Sequence, residues 1–493
     1  MQAKTLKRLS LAVGIMLATV APFAVAQTEA AKPKHATASA IRDVHTVPPM
    51  IADLEKRTFQ WFWDSANPSN GLIPDHYPTD SFASIASVGF GLTAYGVGVE
   101  RGYITRDQAI DRTLATLRFF RDAPQNTDED GATGYKGFFY HFLNMQTGAR
   151  FDRWVEVSTV DTTLLLGGIL FAQSYYDRDT AKEKEIRDIA DEIYRRVDWT
   201  WAQTRAPLIN MGWTPGGKAI PHDWEGYNEG MLVYLLALGS PTHPVGDDAW
   251  QAWTKTYDKT WGEFHGQTFL NFAPLFGHQY SHTFVDFRGI RDAWSKAHDL
   301  DYFENSRRAT YSQQAYAVAN PGGWKGYGKN VWGLTASNGP GGLIIKQGDR
   351  ERTYAGYTAR GAGRDYISDD GTIVPTAAGG SIAFAPEIVI PALEEMKKKY
   401  GQYIYTKYGF VDAFNLTFDT KTDLRTGRLV PGFGWADTVH LGIDQGPIVL
   451  MIENYRSEFV WNVMKKNPYI RKGLQRAGFT GGWLDADTAA NLW

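Results

Sequence analysis

The sequence predicts an all-α domain, an (α/α)6 toroid with long loops and a few short strands. Two kinds of helical segment alternate along the chain, and no linker-like break interrupts residues 49–493. A two-ring helical barrel requires this alternation, with an inner ring of helices buried on all sides and an outer ring wetted on one face.

The chain opens with Lys4, Lys7 and Arg8, then an apolar run from Leu9 to about Val25 that closes on Ala24-Val25-Ala26. This is the pattern of a signal peptide over residues 1–26, cleaved before Gln27, and the run is short for a membrane span. Residues 27–48 are polar, rich in Ala, Pro and Lys, and without periodicity, which predicts a disordered linker. A single domain over 49–493 follows. No later stretch is apolar and long enough to span a bilayer, so the mature product is expected to be soluble, periplasmic or secreted, and free of the membrane.

The amphipathic helices come early. Ile110, Leu114 and Leu117 recur at helical spacing behind a capping box at Thr105/Gln108, and Ile186, Ile189, Ile193 and Val197 repeat the pattern in a charged background. Four segments are apolar on nearly every side: Thr162–Tyr175, Gly230–Leu238, Ile382–Leu393 and Gly446–Ile452. Pro386 and Pro391 make the third a kinked or interrupted helix. Between Trp261 and Val374 the pattern loosens into Gly-, Asn- and Tyr-rich stretches, read as long loops with a few short helices or hairpins, and loops of that length are usually functional.

Composition narrows the partners. A formal net charge of −3 is too small to steer polyanions, which argues against nucleic acid. The absence of cysteine removes any disulfide framework, so size alone must supply the core. Trp 17, Tyr 25 and Phe 26 form an aromatic-rich set, many of them beside Gly, Asn or Asp. Sugar rings present apolar faces edged by hydroxyls and are read by flat aromatic surfaces with short polar side chains.

In a two-ring barrel the inner helices run the same way, so residues at their N-termini converge on one mouth. The approaches to the buried segments are acidic and aromatic. Trp154, Glu156 and Asp161 lead into the first, Trp224, Glu225, Tyr227 and Glu229 into the second, and Phe410, Asp412, Phe414, Asn415 and Asp444 precede the last. Acids at helix starts also serve as plain caps. Glu229 stands out because it adjoins an all-apolar run, where a desolvated carboxyl has a raised pKa, as a general acid needs. Glycoside hydrolysis takes a second carboxyl group, for which Asp412 is the candidate.

Many long strings, among them SVGFGLTAY (87–95), STVDTTLLLGG (158–168), WEGYNEGM (224–231), FGHQYSHTFVDFR (276–288), DYFENSRRAT (301–310), YGFVDAFN (408–415) and IDQGPIVLMIENYR (443–456), resemble the glycoamylase-like group. That group contains glycoside hydrolase family 144 and the processing domain of cyclic β-1,2-glucan synthases. The resemblance implies an (α/α)6 fold and action on β-1,2-glucans, either as an endo-β-1,2-glucanase or as a sophorose-releasing exo-hydrolase; it does not imply starch. It also implies Glu229, in the Tyr-Asn-Glu string, as the acid and Asp412 as the base-side partner; inversion, with Asp412 activating water, is the expectation built on that pair, and retention is the alternative. Glu225 lies four residues before Glu229, so one helix face could present both, and either could donate the proton.

Glu156, Asp161, Trp224, Glu225, Tyr227, His278, His282, Arg288, Arg307, Phe414, Asn415, Asp444 and Glu453 are the expected substrate-binding residues, with an ion pair to Arg456 as the alternative for Glu453. No metal or cofactor is expected. His278 and His282 lack a third ligand, and the calcium-like start at Asp128, Asp130 and Gly131 has Phe139 where a Glu is needed. A monomer acting on a β-linked glucan is expected; a transglycosylase, a phosphorylase and a noncatalytic glucan-binding protein are the rival readings.

Overall fold

The structure is a computed structural model and describes residues 41–216, 218–347 and 350–486, so the expected signal peptide and most of the linker lie outside the described residues. The molecule is helix-rich with short strands. Its longer helices are α1 (Pro49–Ser65), α2 (Ile85–Glu100), α3 (Arg106–Asp122), α4 (Thr159–Tyr175), α5 (Ala181–Arg196), α6 (Met231–Gly239), α7 (Tyr302–Ala319), α8 (Pro386–Ile404), α9 (Gly442–Ser457) and α10 (Pro468–Arg476). No described helix is long and apolar enough to cross a membrane.

Helices α3 and α5 are amphipathic as read from their spacing. Thr105 and Gln108 close the capping box on α3, and Ile186, Ile189 and Ile193 form the buried stripe of α5. The second kind comprises α2, α4, α6 and α9, buried around nearly their whole circumference. Helix α2 packs against both α4 and α9, and α4 packs against α6, while α1 covers α2 and α9, and α5 covers α4.

Three expectations are corrected. Helix α2 escapes the apolar-run criterion because Gly89, Gly91, Gly96 and Gly98 dilute it, yet those glycines are what let it pack. A Cβ on Gly89 would lie 2.1 Å from the Leu164 carbonyl oxygen, and one on Gly168 would lie 2.1 Å from the Gly89 carbonyl oxygen, so α2 and α4 meet backbone to backbone. We expect Gly89→Ala to cost about 3 kcal/mol by overpacking, read as a lower denaturation midpoint, while Gly328→Ala, whose Cβ meets nothing within 4 Å, stays near wild type.

The second correction concerns Ile382–Leu393. Helix α8 starts only at Pro386 and buries a single stripe of Val389, Ala392, Leu393, Met396 and Ile404, with Pro391 exposed, so it is amphipathic. The third concerns the region 261–374, which contains the 18-residue helix α7. Its buried positions include Asn305, Ser306, Thr310, Ser312 and Gln313, each with a hydrogen-bond partner, so no apolar period marks it.

Short strands set the approaches to the buried helices. An antiparallel five-stranded sheet runs in chain order through Gly134–Tyr135, Phe138–Tyr140, Val157–Ser158, Gly212–Thr214 and Lys218–Ala219. Strand Phe414–Asn415 pairs antiparallel with Gly434–Ala436. Two further bonds extend that pairing, Asp437 N to Ala413 O (2.9 Å) and Asp412 N to Val439 O (3.0 Å), so Asp412 and Asp437 leave the same ladder.

Candidate active site

Asp75 and Asp437 line a cleft of about 830 Å³, within the range typical of small-ligand sites, and Asp412 is hydrogen-bonded to the lining residue Asn338. Asp75 is tied by its backbone both to Phe82 (N–H to O, 2.8 Å) and to the first residue of α9, since Gly442 N donates to Asp75 O at 2.9 Å. Asp444 sits in the first turn of α9. Asp412 and Asp437 come from the ladder described above, and Asp437, Asp75 and Asn338 line the cleft wall.

Asn338 divides the acids. Its backbone N–H donates to Asp412 Oδ2 at 2.7 Å, and its side-chain amide donates to Asp437 Oδ2 at 2.9 Å. Asp412 Oδ1 and Asp444 Oδ2 are buried and lack any protein donor. The two carboxyl groups act on each other, and burial favours a proton held by the pair. Burial first, and then the opposing Asp444, push Asp412 well above the usual carboxylate range, with the Asn338 N–H opposing the shift. Burial raises Asp444 to about 7 even though its bond with Asp412 acts the other way, and burial with the Asp412 charge raises Asp437 to about 7.

Glu229 belongs to a second set. It lies in the loop two residues before α6, its carbonyl accepts from Ser281 Oγ at 3.4 Å, and its Oε2 is buried without a hydrogen-bond partner. Burial raises it to about 7, and the Asp161 charge adds to the shift. A carboxyl with that value keeps a proton near neutral pH and can donate it. Asp161 in α4 and Glu156 ahead of it are bridged by His141, whose Nε2 lies 3.3 Å from Asp161 Oδ1 and whose Nδ1 lies 3.0 Å from Glu156 Oε1. Burial opposes charging of the imidazole, yet the two carboxylates outweigh it and raise His141 to about 9, so the bridge is an imidazolium at neutral pH.

Tyr280 joins the two sets. Its phenol is pushed well above the usual range by burial and then by Asp444, with Glu229 and Asp161 acting in the same direction, so one side chain feels the charges of both. Tyr357 and Tyr366 overhang the same acids from the excursion between Tyr354 and Ser368. Burial and then Asp444 raise the Tyr357 hydroxyl, and the residue, 57% exposed, lines the cleft. Burial and then Glu229 raise that of Tyr366. Arg360, fully buried, holds this excursion through Asp370 (2.7 and 2.8 Å) and the carbonyls of Ser337, Asn338, Ala355 and Gly356.

Of the residues expected at the site, Glu229, Asp412, Asp444, Asp161 and Glu156 come together, and the others do not. His278 and His282 are buried, with Nε2 atoms on Phe272 O (3.1 Å) and Ser306 Oγ (3.1 Å), and burial lowers both to about 3, so they are neutral packing groups. Arg288 is held by Asp286 (2.7 Å) and Glu458 (2.8 Å), and Arg307 by Glu387 (2.6 Å) and the Phe384 carbonyl. Glu453 is fully buried against Arg101 (2.6 and 2.7 Å) rather than Arg456, which binds Asp43 and Glu55.

Trp224 and Tyr227 are buried, bonded to Thr159 Oγ1 and Ser306 Oγ. Phe414 is packed in the interior, and Asn415 caps the backbone of Thr417 and Phe418. Glu225 is exposed, and because 221–230 is not helical it shares no helix face with Glu229.

Asp75, His141, Asn338, Tyr357 and Asp437 escaped the sequence reading. Asp75 precedes α2, whose glycines hid it as a buried helix, and Asp437 stands seven residues before Asp444 on the approach to α9, which is the signal that could have found it. A second hollow of about 770 Å³ adjoins Tyr175 and Arg106, but its acids already have partners, Glu100 on the Tyr175 hydroxyl (2.8 Å) and Asp43 on Arg101 (2.7 Å).

Residues 221–468 match the Glycoamylase family model, described as "Putative glucoamylase". The chain belongs to this family. A glycoamylase-family structure of the same description from Bacteroides uniformis is 33% identical, covers 89% of this chain and 99% of its own, and superposes with a TM-score of 0.75. An endo-β-1,2-glucanase from Chitinophaga pinensis, solved with sophorotriose and glucose, is 28% identical over 88% of this chain and 98% of its own, with a TM-score of 0.74. The exo β-1,2-glucooligosaccharide sophorohydrolase of Parabacteroides distasonis is 28% identical over 455 residues, covering 86% of this chain; the chain spans 57% of the length of that relative.

Proposed function

We propose that this glycoamylase-family chain is an exported, monomeric glycoside hydrolase that cleaves β-1,2-glucan or its oligosaccharides with inversion. Glu229 protonates the leaving oxygen, and Asp412, in its proton-sharing pair with Asp444, accepts the proton of the attacking water. The observation that carries this reading is that a carboxyl raised to about 7, Glu229, and Asp444, the partner of Asp412, both act on one buried phenol, Tyr280, next to a cleft lined by Asp75, Asp437 and the Asp412-bound Asn338. Glu229 and Asp412 stand on separate segments, the loop before α6 and the ladder with Asp437, as two catalytic carboxyls must. Inversion needs room between them, about 6.5–9.5 Å, to admit a water. The names of the Chitinophaga and Parabacteroides relatives supply the linkage.

An (α/α)6 toroid is the architecture that fits the packing. Its inner ring would comprise α2, α4, α6, the short helices Tyr280–Phe284 and Pro375–Gly379, and α9, with α1, α3, α5, α7, α8 and α10 outside. The cleft acids then occupy the N-terminal mouth of the inner ring, where Asp161 and Asp444 lie in first turns. Export rests on the signal-like residues 1–26.

The test is incubation of the purified protein with linear β-1,2-glucan beside β-1,3-glucan, cellulose and starch. New reducing ends are expected from β-1,2-glucan alone, the first-formed product being the α-anomer by NMR. Release from starch alone would sink the substrate assignment. Product redistribution at constant reducing-end number would replace hydrolysis by transglycosylation.

A further inference from the structure

Trp154 is 58% exposed, an unusual position for a tryptophan, and lines the cleft. It is not isolated. Its ring lies 5.6 Å from that of Phe142 and 6.3 Å from that of Phe82, and Phe82 in turn packs on Phe142 (4.4 Å) and Phe151 (4.7 Å), which is itself 41% exposed. The four rings form a ledge at the rim.

The ledge is rigid and continuous with the chemistry. Strand Ala83–Ser84 pairs with Phe142–Leu143, fixing Phe82 and Phe142 at the start of α2. His141 stacks on Phe142 at 3.8 Å and reaches Asp161 at 3.3 Å, so the imidazolium separates the apolar ledge from the acid set of Glu229. Tyr357 and Arg425 line the same cleft. An apolar ring face with polar groups nearby matches one pyranose, apolar on its faces and hydroxylated at its edge.

We propose that Trp154 is a stacking platform for a glucosyl unit outside the bond being cleaved, and that it sets the preference for longer β-1,2-linked chains. The proposal rests on the hydrolase reading for its substrate class, but not on turnover for its test. A sugar face removes roughly as much apolar surface from water as a small buried side chain, so loss of the indole should weaken binding about tenfold.

The experiment compares wild type, Trp154→Ala and Trp154→Phe on β-1,2-glucooligosaccharides from the trimer to long chains. For Trp154→Ala, KM is expected to rise about tenfold on long chains with kcat unchanged and the constants for the shortest cleaved chain preserved, while Trp154→Phe restores most of the effect. Thermal unfolding should be unaltered, because the residue is exposed. Calorimetric titration of the Glu229→Gln protein, with and without Trp154→Ala, reads the same length-dependent loss without turnover. Equal affinity of the two proteins for long chains, or an equal loss at every length, overturns the platform. Absence of hydrolysis by wild type with the calorimetric difference intact overturns the hydrolase reading and leaves the platform standing.

Discussion

Glu229→Gln should lower kcat on β-1,2-glucan by about 10²–10⁴-fold while leaving the fold and the unfolding temperature near neutral pH almost unchanged. Glutamine preserves the shape but has no proton to donate, and the Oε2 it replaces has no hydrogen-bond partner to lose. In the wild type, burial and then Asp161 hold the carboxyl near 7, so kcat/KM should fall as pH rises through that value. Asp161→Asn removes one of the two upward influences and should move this alkaline limb to lower pH. An aryl β-sophoroside with an acidic phenol leaves without a proton, so the penalty of Glu229→Gln should shrink on it by an order of magnitude or more. Retention of more than about a tenth of wild-type activity on the natural linkage would remove Glu229 from the acid role, and an alkaline limb persisting in the Gln variant would assign it to another group.

How much of this was legible before the structure depends on what each residue type encodes. Helices with an all-apolar surface announce themselves, which is why α4, α6 and α9 and the acids at their starts, Asp161, Glu229 and Asp444, could be read from the chain. Helix α2 was hidden because its packing depends on missing side chains. Gly89 and Gly168 bring two backbones into contact and leave no hydrophobic mark, and without that mark nothing in the chain singles out Asp75 on the approach to α2. Helix α7 was hidden for the opposite reason, since its interior face is hydrogen-bonded rather than apolar.

The polar residues of the family strings divided on a property that the chain alone does not carry. Arg288, Arg307 and Glu453 are saturated by local ion pairs, whereas Asp412 and Asp444 are buried and Glu229 half-buried, each with one buried, unpartnered carboxyl oxygen. Motif membership cannot separate those cases; an accounting of hydrogen bonds does.

The same unpartnered oxygens predict that Asp412→Asn exchanges activity for stability. The Asp412–Asp444 pair retains in the folded protein a proton that both groups lose near pH 4 when unfolded, because burial and the facing carboxyl raise Asp412 and burial holds Asp444 near 7. Between about pH 4 and 7 the folded state thus binds more protons than the unfolded state. The unfolding free energy must fall as pH rises through this window, the opposite of the usual salt-bridged aspartate. Once the shared proton is lost, the pair carries two facing charges with no cation among its bonded partners. Asparagine removes one charge and can donate its amide to the orphaned Asp444 Oδ2. We therefore expect the unfolding temperature at pH 8 to rise by a few degrees, with little change at pH 5, while kcat falls at least about a hundredfold for want of a base. Calorimetry at the two pH values together with steady-state kinetics measures both. A variant equally destabilised at pH 5 and 8 would mean that the aspartates do not confront each other as charges, and one retaining activity within threefold of wild type would transfer the base role to Asp437 or Asp75.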